Sequence, residues 1–130
     1  MADDQDDAAQ LMDDIDPRLL DLLRTRINTF IKWDLVRFFH ANPHTADTAE
    51  NLARYTGRDV RVVEPELRQL AQAGILEVET LADLRVYTLT ADEDTVALLD
   101  SFMRACDDRQ FRIKAIYHII RNLRRERERP

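Results

Sequence analysis

Between Leu20 and Phe39 the apolar side chains Leu20, Leu23, Ile27, Phe30, Ile31, Leu35, Phe38 and Phe39 recur mostly at spacings of three and four. Such a stripe predicts an amphipathic helix. Asp16 is placed to cap it, and Pro17 suits the first position, where no backbone N–H is needed. Asn42-Pro43 ends it, and no glycine or proline interrupts it before that. The pattern predicts one long helix from Pro17 to Ala41.

A shorter helix follows, capped by Asp47 or Thr48, with Glu50 placed for a capping box if Asp47 is the cap. Leu52, Ala53 and Tyr55 are its inward candidates, and Gly57 ends it in a left-handed turn. The next helix begins after Asp59, ends at Gly74 and buries Val63, Leu67 and Leu70. Pro65 fits if regular helix begins near Glu64, leaving 60–63 irregular, or if the proline lies within the first turn. Residues 75–80 and 85–90 are β-prone runs flanking Leu81-Ala82-Asp83-Leu84, which predicts a hairpin. Its tip has no Asn-Gly or Asp-Gly, so the register stays open. Thr90 and Glu93 form a T-x-x-E capping box for a final helix. Val96, Leu99, Phe102, Met103 and Cys106 make its first stripe. Ile113, Ile116, Tyr117, Ile120 and Leu123 continue the stripe past Asp107-Asp108, where the helix bends or breaks.

Composition adds three constraints. A chain of 130 residues with two glycines and four prolines suits one mostly helical domain with one modest core. No apolar run is long enough to span a bilayer, and no signal peptide is visible, so no membrane partner is expected. A lone cysteine, Cys106, is compatible with a reducing, cytoplasmic setting.

The net charge of −6 hides a dipole. Residues 1–18 carry seven Asp against one Arg, whereas 109–129 carry seven Arg and one Lys against two Glu. Residues 1–15 hold six Asp and few large apolar side chains, and are expected to be an acidic mobile tail. Residues 16–130 form the expected domain, with its centre at 44–90. The tail reads as a solubilising segment, or as one that docks on and screens the Arg-rich end. The run Arg121 to Arg129 reads as a solvated helix end favoured by the helix dipole, or as a phosphate- or partner-binding arm.

The order helix, glycine turn, helix, glycine, hairpin over 48–90 resembles a winged helix-turn-helix, as in transcriptional regulators of the MarR and ArsR type. The resemblance rests on Leu52-Ala53, Gly57, Leu67, Leu70 and Ala73-Gly74-Ile75-Leu76, with seventeen residues from Gly57 to Gly74. It implies a mainly helical fold with a small β-hairpin and flanking terminal helices. It also implies a recognition helix at about 60–73 and a wing at about 77–88. Arg61, Val62, Glu64, Pro65 and Arg68 would then face the DNA groove, with Arg58 beside them and Arg85 at the wing. Charge departs from the regulator pattern. Residues 44–90 hold five Arg and eight acids, and Glu77, Glu79 and Asp83 crowd the wing. Phosphate neutralisation drives DNA affinity, so these carboxylates oppose it. Glu64 or Glu66 could instead read a cytosine amino group.

Other candidate chemistry is sparse. Cys106 reads as a small core residue; a thiol sensor would need a basic, partly exposed setting. Trp33 reads equally as a packed residue or as a dimer contact. His40, His44 and His118 show no metal-ligand spacing. No Ser-His-Asp set, phosphate loop, dinucleotide loop or catalytic carboxylate pair is recognisable, so no enzyme, cofactor or metal is expected. The expected function is transcription regulation by a cytoplasmic, DNA-binding homodimer, with double-stranded DNA and a second copy as partners. Dimer contacts are expected on the first and last helices. The alternative is a winged-helix adaptor that binds a protein partner and no DNA. The two separate on whether Arg54, Arg58, Arg61, Arg68 and Arg85 form a continuous surface or are interrupted by carboxylates.

Overall fold

The computed structural model describes residues 10–128. The expected single N-terminal helix is two helices, α1 (Pro17–Thr25) and α2 (Phe30–Ala41). The break needs neither glycine nor proline. The amides of Arg26 and Ile27 both return to the Leu22 carbonyl, at 3.0 and 2.7 Å, and close α1. Thr29 then caps α2 by accepting from the Lys32 amide at 3.1 Å. Thr25, Asn28 and Thr29 all offer side-chain hydrogen bonds that compete with a continuous helix. The break lets both helices turn side chains inward, so Leu19, Leu22 and Val36 join Leu23, Ile27, Leu35 and Phe39 in the core. Most of the apolar surplus expected on the first helix is thus consumed within the protomer.

A short strand, β1 (Ala46–Asp47), precedes α3 (Ala49–Thr56) and α4 (Val60–Gln72). Thr48, not Asp47, caps α3. Asp47 instead accepts from the Thr48 amide, the Asn51 amide group and the Tyr55 hydroxyl, at 2.8, 2.7 and 2.9 Å. Burial alone would raise the Asp47 carboxyl, but these hydrogen bonds outweigh it and hold the group below the usual carboxylate range. Gly57 takes the left-handed conformation that the turn requires, at φ 68°. Helix α4 is regular from Val60, capped by Asp59, so Pro65 sits in its second turn. The amide that Pro65 lacks would have met the carbonyl of Arg61, which lies on the solvent side.

The hairpin pairs β2 (Leu76–Leu81) with β3 (Leu84–Leu89), and β1 adds to β3, giving the antiparallel order β1-β3-β2. Register is set at the tip, where Leu81 faces Leu84 across Ala82 and Asp83. Both turn residues have positive φ, 48° and 71°, the geometry of the two-residue hairpin turn that favours Asn-Gly. Replacing Ala82 by Asn and Asp83 by Gly is therefore expected to stabilise the fold by about 1 kcal/mol. A urea midpoint that fails to rise in that variant would contradict this turn geometry.

Two further helices follow, α5 (Glu93–Ala105) and α6 (Arg109–Glu128), separated at Asp107-Asp108. Asp92, not Thr90, caps α5. The Thr90 amide is held by the Ile75 carbonyl at 3.0 Å, which keeps Thr90 at the end of the sheet. Asp92 is then free to accept from both the amide and the hydroxyl of Thr95.

The core gathers Leu52, Val63, Leu67, Leu70, Ile75 and Tyr87 from the helix-turn-helix and wing with Leu99, Phe102, Phe111 and Ile119 from the last two helices. This architecture is a winged helix-turn-helix, mostly helical with a three-stranded antiparallel sheet. Residues 1–9 of the expected acidic tail lie outside the described residues. Its remainder reaches α6: the Met12 carbonyl lies 2.9 Å from Nε2 of buried His118, and the Asp14 carbonyl accepts from Lys114. Trp33 packs edge-on against Phe102, with ring centroids 5.9 Å apart.

Candidate nucleic-acid interface

Helix α4 buries Val63, Leu67 and Leu70 and leaves Arg61, Val62, Glu64 and Arg68 exposed on its other faces. Arg61 has 86% of its side chain exposed, and it chelates Asp59, the cap of its own helix. That hydrogen bond holds the Asp59 carboxyl below its ordinary value and raises the guanidinium. The pair is exposed and its partners are two residues apart, so solvent screens it and it adds little to stability. Arg58 is committed elsewhere: its guanidinium bonds Asp34 of α2 and ties the turn to that helix.

Arg68 and Arg85 come together. With Gln72, Val78, Thr80 and Tyr87 they line an open cleft of about 560 Å³ between α4 and the wing, and its lining holds no carboxylate. Neither arginine forms an ion pair among the described residues. Strand alternation explains the missing acids. Val78 faces Tyr87 and Thr80 faces Arg85 across the hairpin, so these four share one face. Glu77 and Glu79, opposite Thr88 and Val86, point to the other. The expected crowding of the wing by those two glutamates is therefore absent on its helix-facing side.

Glu66 leaves the candidate set as well. Its carboxylate turns inward, with Oε2 2.9 Å from Nζ of Lys32, and cannot meet a base edge. Glu64 stays exposed and lines a second cavity, of about 220 Å³, with Glu50, Asp83, Arg85 and Tyr87. The surface presented by α4 and the wing is thus divided, basic on the Arg68 side and acidic on the Glu64 side. With Asp34 on Arg58 and Asp59 on Arg61, carboxylates interrupt the arginines of this surface.

Two features escaped sequence reasoning. Lys32 is buried, although a lone lysine in the apolar run Phe30-Ile31-Lys32-Trp33 was a usable signal. Tyr87 is buried with its hydroxyl unpartnered beneath both cavities, and nothing in the sequence marks it. Burial pushes the Cys106 thiol up to about 11, so at neutral pH it is protonated and a poor nucleophile. Among the described residues no group of three His, Cys, Asp or Glu is arranged to hold a metal ion, and no helix is long and apolar enough to cross a membrane.

No family of known proteins matches the chain, and neither does any curated protein. Among solved structures it is similar to a possible transcriptional regulator from Methanosarcina mazei Go1. That similarity has 17% identity and a TM-score of 0.48, over 70% of this chain and 75% of the other.

Proposed function

We propose that the protein is a DNA-binding transcriptional regulator that acts as a homodimer, with α4 as recognition helix and β2–β3 as wing. The observation that carries this reading is the carboxylate-free cleft in which Arg68 and Arg85 converge. Arg61 stands at the exposed start of the same helix. Arg68 would read base edges and Arg85 would meet a phosphate beside the wing.

Dimerisation is supported by α6. Ile113, Ile116, Ile120 and Leu123 are each between 39% and 42% exposed, on a stripe beside the face that buries Phe111, Ala115 and Ile119. Their spacing of three, four and three reads the same in both directions. A second copy crossing antiparallel near His118 would set Ile113 against Leu123 and Ile116 against Ile120. Such a twofold contact is self-complementary.

The test is selection of bound sequences from random duplex DNA, followed by titration across salt concentrations. Arg68→Ala should cost roughly 1–3 kcal/mol of discrimination at the preferred site. Arg85→Ala should weaken all sequences alike and reduce the salt slope by about one. If neither substitution changes binding, the cleft is not the interface.

A second reading, an adaptor for a protein partner, gains from the interruption of the arginines by carboxylates, from the Glu50, Glu64 and Asp83 side of the surface and from the exposed Leu81 and Leu84 at the wing tip. Absence of duplex binding even at low salt would select it.

A further inference from the structure

Lys32 lies in the core with 4% of its surface exposed. Its ammonium donates to Oδ1 of Asn28 at 2.8 Å and to Oε1 of Gln69 at 2.5 Å, and it makes an ion-pair contact with Oε2 of Glu66 at 2.9 Å. Asn28 and Gln69 take hydrogen bonds from the ammonium, and Glu66 supplies the counter-charge at ion-pair distance without a hydrogen bond to its Oε2. Two of them, Glu66 and Gln69, stand one turn apart on α4. From the other side, Asn122 and Glu126 of α6 line a polar cavity of about 150 Å³ with the same lysine and its partners.

Apolar packing holds α4 against the domain but is non-directional, so Val63, Leu67 and Leu70 tolerate small rotations of the helix. A buried ammonium does not. Even a small rotation, which that packing allows, would draw both partners off the ammonium and leave opposite charges buried apart. We infer that Lys32 is a positioning residue for the recognition helix. Through Glu66 and Gln69 it sets the rotation of α4, and so the direction in which Arg61 and Arg68 leave the surface. The consequence for DNA rests on the regulator reading above; the rotational lock does not.

The test is the double substitution Lys32→Met with Glu66→Leu, which removes both charges at similar volume. Lys32→Met alone strands Glu66 and should lower the melting temperature, whereas the double variant should melt at or above the wild type. In the double variant, amide hydrogen exchange along α4 should accelerate by about tenfold while the rest of the core exchanges as before. The affinity ratio between selected and scrambled duplex should fall by about tenfold, with binding to scrambled duplex unchanged. Wild-type exchange in α4, faster exchange spread evenly over the chain, or an unaltered ratio beside local loosening would each overturn the inference. A double variant that does not fold would also overturn it, since the pair would then supply stability instead of orientation. A wild-type protein that binds no duplex would remove the regulator reading alone, and α4 exchange would then decide the inference by itself.

Discussion

Replacing Ile116 and Ile120 together by Asp is expected to leave the protomer folded, make it monomeric and weaken binding to a two-site DNA by about a hundred- to ten-thousand-fold. Both side chains lie outside the core, so protomer stability should change little. At an antiparallel contact between two α6 helices they would meet at the centre, where four carboxylates, two from each copy, would lose water and repel one another. Loss of the contact separates the two recognition helices, which the dimer would hold about one DNA turn, roughly 34 Å, apart. Each helix then binds alone, and the gain from linking the two sites disappears. Light scattering at tens of micromolar and titration of one- and two-site duplexes measure both effects. A wild-type protein of monomer mass, or a variant that remains dimeric, would remove α6 from the interface.

Leu67→Ala is expected to lower the unfolding free energy by about 2–5 kcal/mol. Leu67 is fully buried on the inner face of α4, between Val63 and Leu70, and packs into the shared core. Truncation loses the transfer of three carbons from water and leaves a space that the helices fill only in part. Against a total of about 5–15 kcal/mol for a domain, that is a large fraction. Val62→Ala, five residues earlier on the exposed side of the same helix, should cost within about 0.5 kcal/mol. Urea denaturation with an unchanged slope checks the pair. Equal losses in the two variants would mean that α4 does not bury the face described.

Much of the fold was legible in the sequence because its signals are local. Gly57 and Gly74 bracket α4 through backbone conformations that need no distant contact, at φ 68° and 80°. Asp59 caps α4 through an amide two residues away, and strand alternation confines Glu77 and Glu79 to one face of the hairpin. The spacing of Val63, Leu67 and Leu70 marks the buried side of α4 in the same local way.

Where local signals compete, the sequence favoured one long helix and a Thr90 cap, and tertiary contacts decided otherwise. The stripe from Leu20 to Phe39 is equally periodic with or without a break. The break at 26–29 is settled by Leu19, Leu22, Val36 and Phe39 packing together in one core, which a straight helix would splay apart. Thr90 and Asp92 both suit a cap, and the sheet took Thr90.

The candidate interface depends still more on distance in the chain. Glu64 and Glu66 look alike in the sequence, yet one reaches solvent and the other reaches a lysine thirty-four residues earlier. Arg58 and Arg68 also look alike, yet Asp34 engages the first, and the second shares a cleft with Arg85. Composition counts charges but does not place them. By itself the sequence determined the helix, helix and hairpin order over 48–90, its two glycine turns and the inner face of α4, because hydrogen bonding within a few residues and burial periodicity act locally. Which carboxylates remain to oppose a phosphate, and which arginines remain to meet one, only the tertiary structure decided, because ion pairs form between whatever side chains the packed core brings within a few ångströms.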